Sequence, residues 1–245
     1  MKSYLISSTK KSSGKTIIAT GVSSVLSRID SLAVFKKGPD YIDPYWLSLA
    51  SKVSCYNLDF YTMSNSEIKK LYKNISYEKN ISIIEGNKGL FDGVSLDGSD
   101  SNASLAHLLK LEVILVIDCS GMTRGVAPLL QGYKEFDKKI KYKGIILNNI
   151  ASDRHESKVI NAINEFTKLK VIGSIHKNKQ LTIMEKKLGL EPVFQNPDTK
   201  KIIKNISSVI KKSIDMKYLI NKKSKNKANN ISKVFLKKYK YSNLK

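Results

Sequence analysis

Cysteine, proline, tryptophan and acid are all scarce in this chain. Two cysteines in 245 residues, Cys55 and Cys119, exclude a secreted scaffold stapled by disulfides. Five prolines and 13 glycines are too few for a collagen-like or low-complexity chain. No apolar run reaches the roughly 18 to 20 residues of a membrane helix, so no bilayer span is predicted. Met1–Ser8 enters a strand-like segment without the charged and then apolar regions of a secretion signal, which points to a cytoplasmic protein. Acid is the largest shortage: 21 Asp and Glu stand against 43 Lys and Arg, a formal charge of +22. Such a field attracts polyanions such as nucleic acid, anionic membrane or a polycarboxylate substrate. The basic residues are spread through a Lys-, Asn- and Ile-rich chain with no stripe of interleaved aromatics. Most of the excess therefore reads as compositional bias, and a nucleic-acid partner is not expected. The far end differs, because no acidic residue follows Asp215 while Lys217, Lys222, Lys223 and Lys225 open a lysine run. Residues 220–245 read as a basic tail, either a docking arm or a solvated extension.

What remains is a pattern of short apolar runs alternating with helix-length segments. Strands are predicted around Tyr4–Ile6, Leu32–Phe35, Ile81–Ile84, Val113–Ile117, Gly144–Leu147 and Val171–Ile175. Helices are predicted over Gly14–Arg28, Arg124–Phe136, Arg154–Thr167 and Thr199–Leu219. Continuous apolar strands alternating with helices predict an α/β fold, a parallel β-sheet with helices on both faces. In such a sheet ligands bind beyond the carboxyl ends of the strands, and every distinctive polar cluster falls there. Residues 1–219 are read as one domain.

The first cluster, Ser8–Thr16, joins the first strand to the first helix and ends in Ser12-Ser13-Gly14-Lys15-Thr16. Backbone N–H groups of such a loop cradle phosphates. Lys15 would neutralise phosphate charge, and Thr16 would offer a hydroxyl to Mg²⁺, so ATP and Mg²⁺ are the expected cofactors. The first glycine of the usual P-loop pattern is Thr9 here, and a plain helix start with a Ser cap is the alternative. The second cluster, Phe35–Pro44, carries Asp40 and Asp43 on a loop shaped by Gly38-Pro39. These carboxylates would bind metal or orient substrate; alternatively Asp40 makes an Asx turn and Asp43 caps a helix beginning at Pro44. The third cluster follows the Ile81–Ile84 strand. Glu85 stands where a metal-holding acid sits beside a P-loop, and three glycines precede or follow Asp92, which could equally brace a turn. The last two are Asp118–Met122 and Asn148–Glu156. Asn148 suits two-sided hydrogen bonding to an adenine edge. Asp153 with Glu156 reads as a capping box, His155 as a surface helix residue, and Cys119 as a small buried one.

Together these clusters resemble the N-terminal synthetase domain of cobyrinate a,c-diamide synthases. The resemblance is carried by Phe35–Pro44, Gly89–Gly93, Asp118–Met122 and Ile146–Glu156, with Asn57-Leu58-Asp59 and Leu188-Gly189-Leu190, in the family's order from Tyr4 to about Leu219. It implies a P-loop NTPase fold similar to dethiobiotin synthetase. It also implies ATP-dependent amidation of the a- and c-acetate carboxylates of cobyrinate or hydrogenobyrinate through acyl phosphates, as in cobalamin biosynthesis. On this resemblance Lys15 binds phosphate, Thr16, Asp40 and Glu85 hold Mg²⁺, and Asn148 reads adenine. Asp40, Asp43 and Asp92 divide among metal, substrate carboxylate and ammonia, in an order the residues leave open.

The departures are specific. Serines replace loop glycines at Ser8 and Ser12, and His176-Lys177 stands for a Pro-Arg pair, as Lys187 does for a His. No segment of these 245 residues resembles the family's glutamine amidotransferase domain, and neither Cys55 nor Cys119 lies in a nucleophile-elbow context. Ammonia is therefore expected free or from a separate amidotransferase subunit, unless the chain is a decayed or truncated relative; a homodimer is a further expectation. Amidation of another tetrapyrrole such as nickel-sirohydrochlorin is an alternative. So is a partition-type ATPase binding DNA or membrane, with Lys10 as its signature lysine, or a catalytically weak scaffold subunit.

Overall fold

A computed structural model describes residues 1–178, 181, 185–186, 189–190 and 198–220. Seven parallel strands form one sheet: β1 (Lys2–Ser8), β2 (Leu32–Lys37), β3 (Cys55–Leu58), β4 (Ile81–Glu85), β5 (Glu112–Asp118), β6 (Lys141–Ile150) and β7 (Val171–His176), in the order β3-β2-β4-β1-β5-β6-β7. A short antiparallel pair, β8 (Glu185–Lys186) and β9 (Gly189–Leu190), lies apart from it. The helices are α1 (Lys15–Leu26), α2 (Ile42–Ser51), α3 (Asn65–Ser76), α4 (Asn102–Leu109), α5 (Val126–Phe136), α6 (Asp153–Phe166), α7 (Thr199–Ser213) and α8 (Met216–Leu219). The basic tail from residue 221 and the Leu188 and Lys187 positions lie outside the described residues.

The strands are apolar on both sides because both sides are covered. Tyr4 and Ile6 of β1 face α1, α2 and α7, while Leu5 faces the layer of α3 to α6. The same alternation splits Ile114 and Val116 from Val113, Leu115 and Ile117 in β5. α1 lies against both α2 and α7. Its Gly21 admits the side chain of Ile210 so closely that any Cβ there would collide with it.

Sequence periodicity finds six of the seven sheet strands but not β3, α3 or α4. β3 is a four-residue edge strand, half-exposed and polar in pattern. α3 buries only Ile68, Tyr72 and Ser76, and its start is set by a capping box in which Ser64 and Glu67 exchange hydrogen bonds. The predicted closing helix is two pieces. Ile214 leaves the helix to bridge Gly173 of β7, and Asp215 then caps the single turn of α8.

Candidate active site

Register places the site. On adjacent parallel strands, Lys36 of β2, Glu85 of β4 and Ile6 of β1 are level with one another. Lys36 and Glu85 therefore project to the same side, under the N-termini of α1 and α2. There Lys36 Nζ lies 2.6 Å from Asp43 and 3.2 Å from Glu85 Oε1. Thr16, in the first turn of α1, donates its hydroxyl to Glu85 Oε1 at 2.5 Å and lies 3.4 Å from Asp43. Glu85 is fully buried, and its second oxygen, Oε2, has no hydrogen-bond partner among the described residues.

Charges in such a place move their titrations. Burial pushes the Glu85 carboxyl up to about 7, against the pull of Lys36. Burial likewise raises Asp43. Lys36 is also penalised by burial, but Glu85 and Asp43 outweigh it and hold its ammonium charged. Lys15, buried at the head of α1, donates to Ser8 Oγ at 2.9 Å and has no ion-pair partner among the described residues. Burial lowers it to about 8.

The loop between β1 and α1 is built to leave backbone donors open. Ser12 and Gly14 both take left-handed backbone angles (φ 57° and 86°). No side chain caps α1, which sets aside the Ser-cap alternative: Ser13 Oγ turns back to Lys10 O at 2.9 Å. The first N–H groups of α1 therefore face outward at the positive end of the helix. Asn148, at the end of β6, donates to Ser13 O at 3.0 Å and presses on Gly14, where a Cβ would collide with it. Asn149 holds Asp118, which also pairs with Lys10 at 3.1 Å. These partners, with Ser120, outweigh burial and hold Asp118 down to about 2.

The two candidate aspartates of the second loop separate in role. Asp40 Oδ1 accepts from the N–H groups of Ile42 and Asp43 at 2.8 and 3.0 Å. Helix α2 thus starts at Ile42, two residues before Pro44, and Asp43 does not cap it. Its carboxylate instead turns inward to Lys36 and Thr16, so Asp43 rather than Asp40 meets Thr16. Asp92 is exposed and accepts from Gly89 N at 2.9 Å, bracing the turn while adding negative charge near Lys15. At α6, the cap is Ser152 rather than Asp153. His155 is pinned between Met122 O and Ala151 N, a bridge between two loops.

Three further residues belong to the site although sequence reasoning left them out. Lys36 neutralises the two buried carboxylates. Asn102, fully buried, ties Gly89 O and Asn87 to Ser7 and so shapes the Glu85–Gly93 loop. Asn57 holds the carbonyls of Gly38 and Asp40 at 2.7 and 2.6 Å. Lys36 carried a readable signal, a lysine inside an apolar strand that must be paired when buried, and Asn57 lay in the Asn57-Leu58-Asp59 stretch already singled out by the resemblance.

Glu85, Thr16, Lys15 and the open N-terminus of α1 suit a nucleotide triphosphate with a divalent metal. The unpartnered Glu85 Oε2 and the buried, unpaired Lys15 are each groups that a Mg²⁺–phosphate unit would satisfy.

Comparison with known proteins follows the same line. A cobyrinate a,c-diamide synthase of Magnetococcus marinus is 40% identical over 216 residues, covering 88% of this chain and 46% of its own length. One from Picrophilus torridus is 39% identical, covering 90% of this chain and 50% of its own. The chain thus spans about half the length of these relatives. Among solved structures, the MinC:MinD cell division protein complex of Aquifex aeolicus superposes with TM-score 0.52 at 12% identity, covering 87% of this chain and 98% of that one. HypB from Helicobacter pylori in complex with nickel gives 0.50 at 13% identity, covering 92% of each chain. Both likenesses speak to the P-loop fold. Residues 33–185 match the AAA domain family, and the chain belongs to it.

Proposed function

We propose that this chain is the synthetase module for ATP-dependent amidation of the a- and c-acetate carboxylates of cobyrinate or hydrogenobyrinate. The observation that carries the reading is the buried Glu85 carboxylate, with one oxygen unpartnered, beside Thr16 and an uncapped helix N-terminus. The 40% identity to a cobyrinate a,c-diamide synthase supplies the substrate class.

A carboxylate cannot expel oxide when ammonia attacks, so its oxygen must first become a better leaving group. In the proposed sequence a substrate carboxylate oxygen attacks the γ-phosphorus of ATP, and ADP leaves. Ammonia then adds to the acyl carbon, loses a proton, and inorganic phosphate departs to leave the amide. Lys15 and the first N–H groups of α1 bind the transferring phosphate and stabilise the charge that accumulates on it. Thr16 and Glu85 would hold Mg²⁺, with Asp43 beside them. The metal would supply neutralisation of the charge on the nucleotide's phosphates. Lys36 favours the anions of Glu85 and Asp43 against their burial and mutual repulsion. Asp40 shapes the substrate-facing loop, Asp92 lies near Lys15 to receive the proton of the incoming amine, and Asn148 faces the adenine. Ammonia is the nucleophile, supplied as ammonium in the test below.

The test is direct. Chain incubated with Mg-ATP, ammonium and cobyrinate or hydrogenobyrinate should convert two carboxylates to amides, read by mass spectrometry. Conversion of a nickel-sirohydrochlorin and not of the corrinoids would move the substrate assignment. ATP turnover stimulated by DNA and by no tetrapyrrole would overturn the proposal.

A further inference from the structure

Lys37, the last residue of β2, is buried without the partner that a buried cation needs. Lys36, one residue earlier, projects to the nucleotide side of the sheet and pairs with Asp43 and Glu85. Side chains alternate along a strand, so Lys37 leaves on the opposite side, with Phe35. The residue is 4% exposed. An ammonium carries three N–H donors, and Nζ uses one of them, on the neutral side-chain oxygen of Asn87 at 3.1 Å. The ring of Phe60 lies 5.7 Å away. Among the described residues no carboxylate forms an ion pair with Lys37. Asp59 and Asp100 act on it through space, against Lys36 and Lys88. Both of those acids are engaged in their own loops. Asp59 accepts from the Tyr61 N–H and the Thr62 hydroxyl, and Asp100 accepts from the N–H groups of Val94 and Ser95. Lysines are almost never fully buried unless paired, so this one calls for an anion from outside the chain.

We propose that Lys37 binds a carboxylate of the substrate other than the one being phosphorylated. The proposal rests on the amidation reading, in which the substrate brings at least two carboxylates to the site. Three lysines are buried here, Lys15, Lys36 and Lys37. Lys36 has its acids within the chain, and a nucleotide phosphate answers Lys15. The same phosphate does not answer Lys37, which leaves the sheet on the side away from Thr16 and Glu85. Its position suits a second carboxylate. Lys37 and Asn87 meet where the loops that follow β2 and β4 come together, at the carboxyl ends of both strands, where ligands of such sheets bind. Gly38, next in the chain, takes a left-handed angle (φ 87°) and puts no side chain over the pair; a Cβ there would crowd the Asn87 amide at 3.3 Å. A carboxylate at this point accepts a charge-assisted hydrogen bond from Nζ. With one carboxylate on Lys37 and another facing Lys15, the substrate is held on both sides of β2. Lys37 therefore restricts which carboxylate reaches the phosphate.

Steady-state amidation of cobyrinate or hydrogenobyrinate with Mg-ATP and ammonium tests it. Lys37→Met should raise the KM for the corrinoid at least about tenfold, the loss of one hydrogen bond to a charged group. Its kcat and its KM for Mg-ATP should stay near the wild-type values. Lys37→Arg, which restores the charge, should recover most of the affinity. Asn87→Ala removes the partner of Lys37 within the chain and leaves the ammonium in place. If Lys37 only braced that loop, Asn87→Ala would do the same damage as Lys37→Met; the proposal expects a corrinoid KM within about twofold of the wild type. Circular dichroism checks that each variant folds, and Lys37→Gln carries the same expectation where the methionine variant does not. A corrinoid KM in the Lys37→Met or Lys37→Gln variant within twofold of the wild type, or a rise matched by Asn87→Ala, would overturn the proposal and leave the amidation reading standing. No amidation of a corrinoid by the wild-type chain would overturn both.

Discussion

Replacing Glu85 by Gln keeps the shape of the side chain and removes one buried charge. The structure fixes what that should do to stability. Glu85 titrates near 7 in the folded protein, mainly because burial disfavours its anion, against an ordinary value of 4.5. A carboxyl raised in this way binds its proton more tightly when folded. Its stabilising contribution is full below pH 4.5 and is lost as pH rises through about 7. At about 1.4 kcal/mol per unit, the loss across that window is on the order of 3 kcal/mol. Glutamine does not titrate, so the variant should lack this slope. Lys36 keeps Asp43 as its partner at 2.6 Å, so the fold should persist. Urea unfolding across the window should show the wild type losing stability relative to Glu85→Gln by that order. Mg-ATP at a hundred times its Kd should restore about 2.7 kcal/mol to the wild type and much less to the variant. Parallel stability curves for the two proteins would refute the buried-anion reasoning, and equal stabilisation by Mg-ATP would remove Glu85 from the metal site.

The other buried groups make separate claims. Lys36→Met leaves Glu85 and Asp43 without their shared cation and should cost about 3 to 5 kcal/mol near neutral pH; chemical denaturation checks it, and a cost that does not shrink on acidification would contradict the pairing. Lys15→Ala should abolish nucleotide binding by calorimetry while leaving urea stability near wild type, because Lys15 pairs with no acid among the described residues. Gly14→Ala should lose nucleotide affinity through both its left-handed backbone and its collision with Asn148, whereas Gly121→Ala, left-handed but in open space, should not. Gly21→Val drives a side chain into Ile210 and should destabilise by about 1 to 3 kcal/mol in thermal unfolding.

The fold was readable wherever burial on both faces left an unbroken apolar run. It was unreadable where an element is short or lies at the edge, as β3 does; α3 has helically spaced apolar residues at Ile68, Leu71, Tyr72 and Ile75, but they form one narrow stripe in a largely polar segment rather than a run. The nucleotide loop could be located from Gly14-Lys15-Thr16 and its place after β1. Its departure from the usual pattern at Thr9 is absorbed locally, since Thr9 O accepts from Tyr133 and Ser12 takes the left-handed angle that a glycine would ease. The roles of Asp40 and Asp43 were not separable in sequence, because three residues apart either can face the helix backbone or the sheet. The N–H groups at the start of α2 settle it by claiming Asp40. Asn102 left no trace in the pattern, since its work is to satisfy the carbonyls of a loop closed only in three dimensions.

The central claim is that a substrate carboxylate is phosphorylated before ammonia attacks. Corrinoid substrate labelled with heavy oxygen in its acetate carboxylates, turned over with Mg-ATP and ammonium, tests it most directly. The account predicts one heavy oxygen in the released phosphate for every amide formed. Amide formation with unlabelled phosphate, or phosphate release without amide or label transfer, would contradict it.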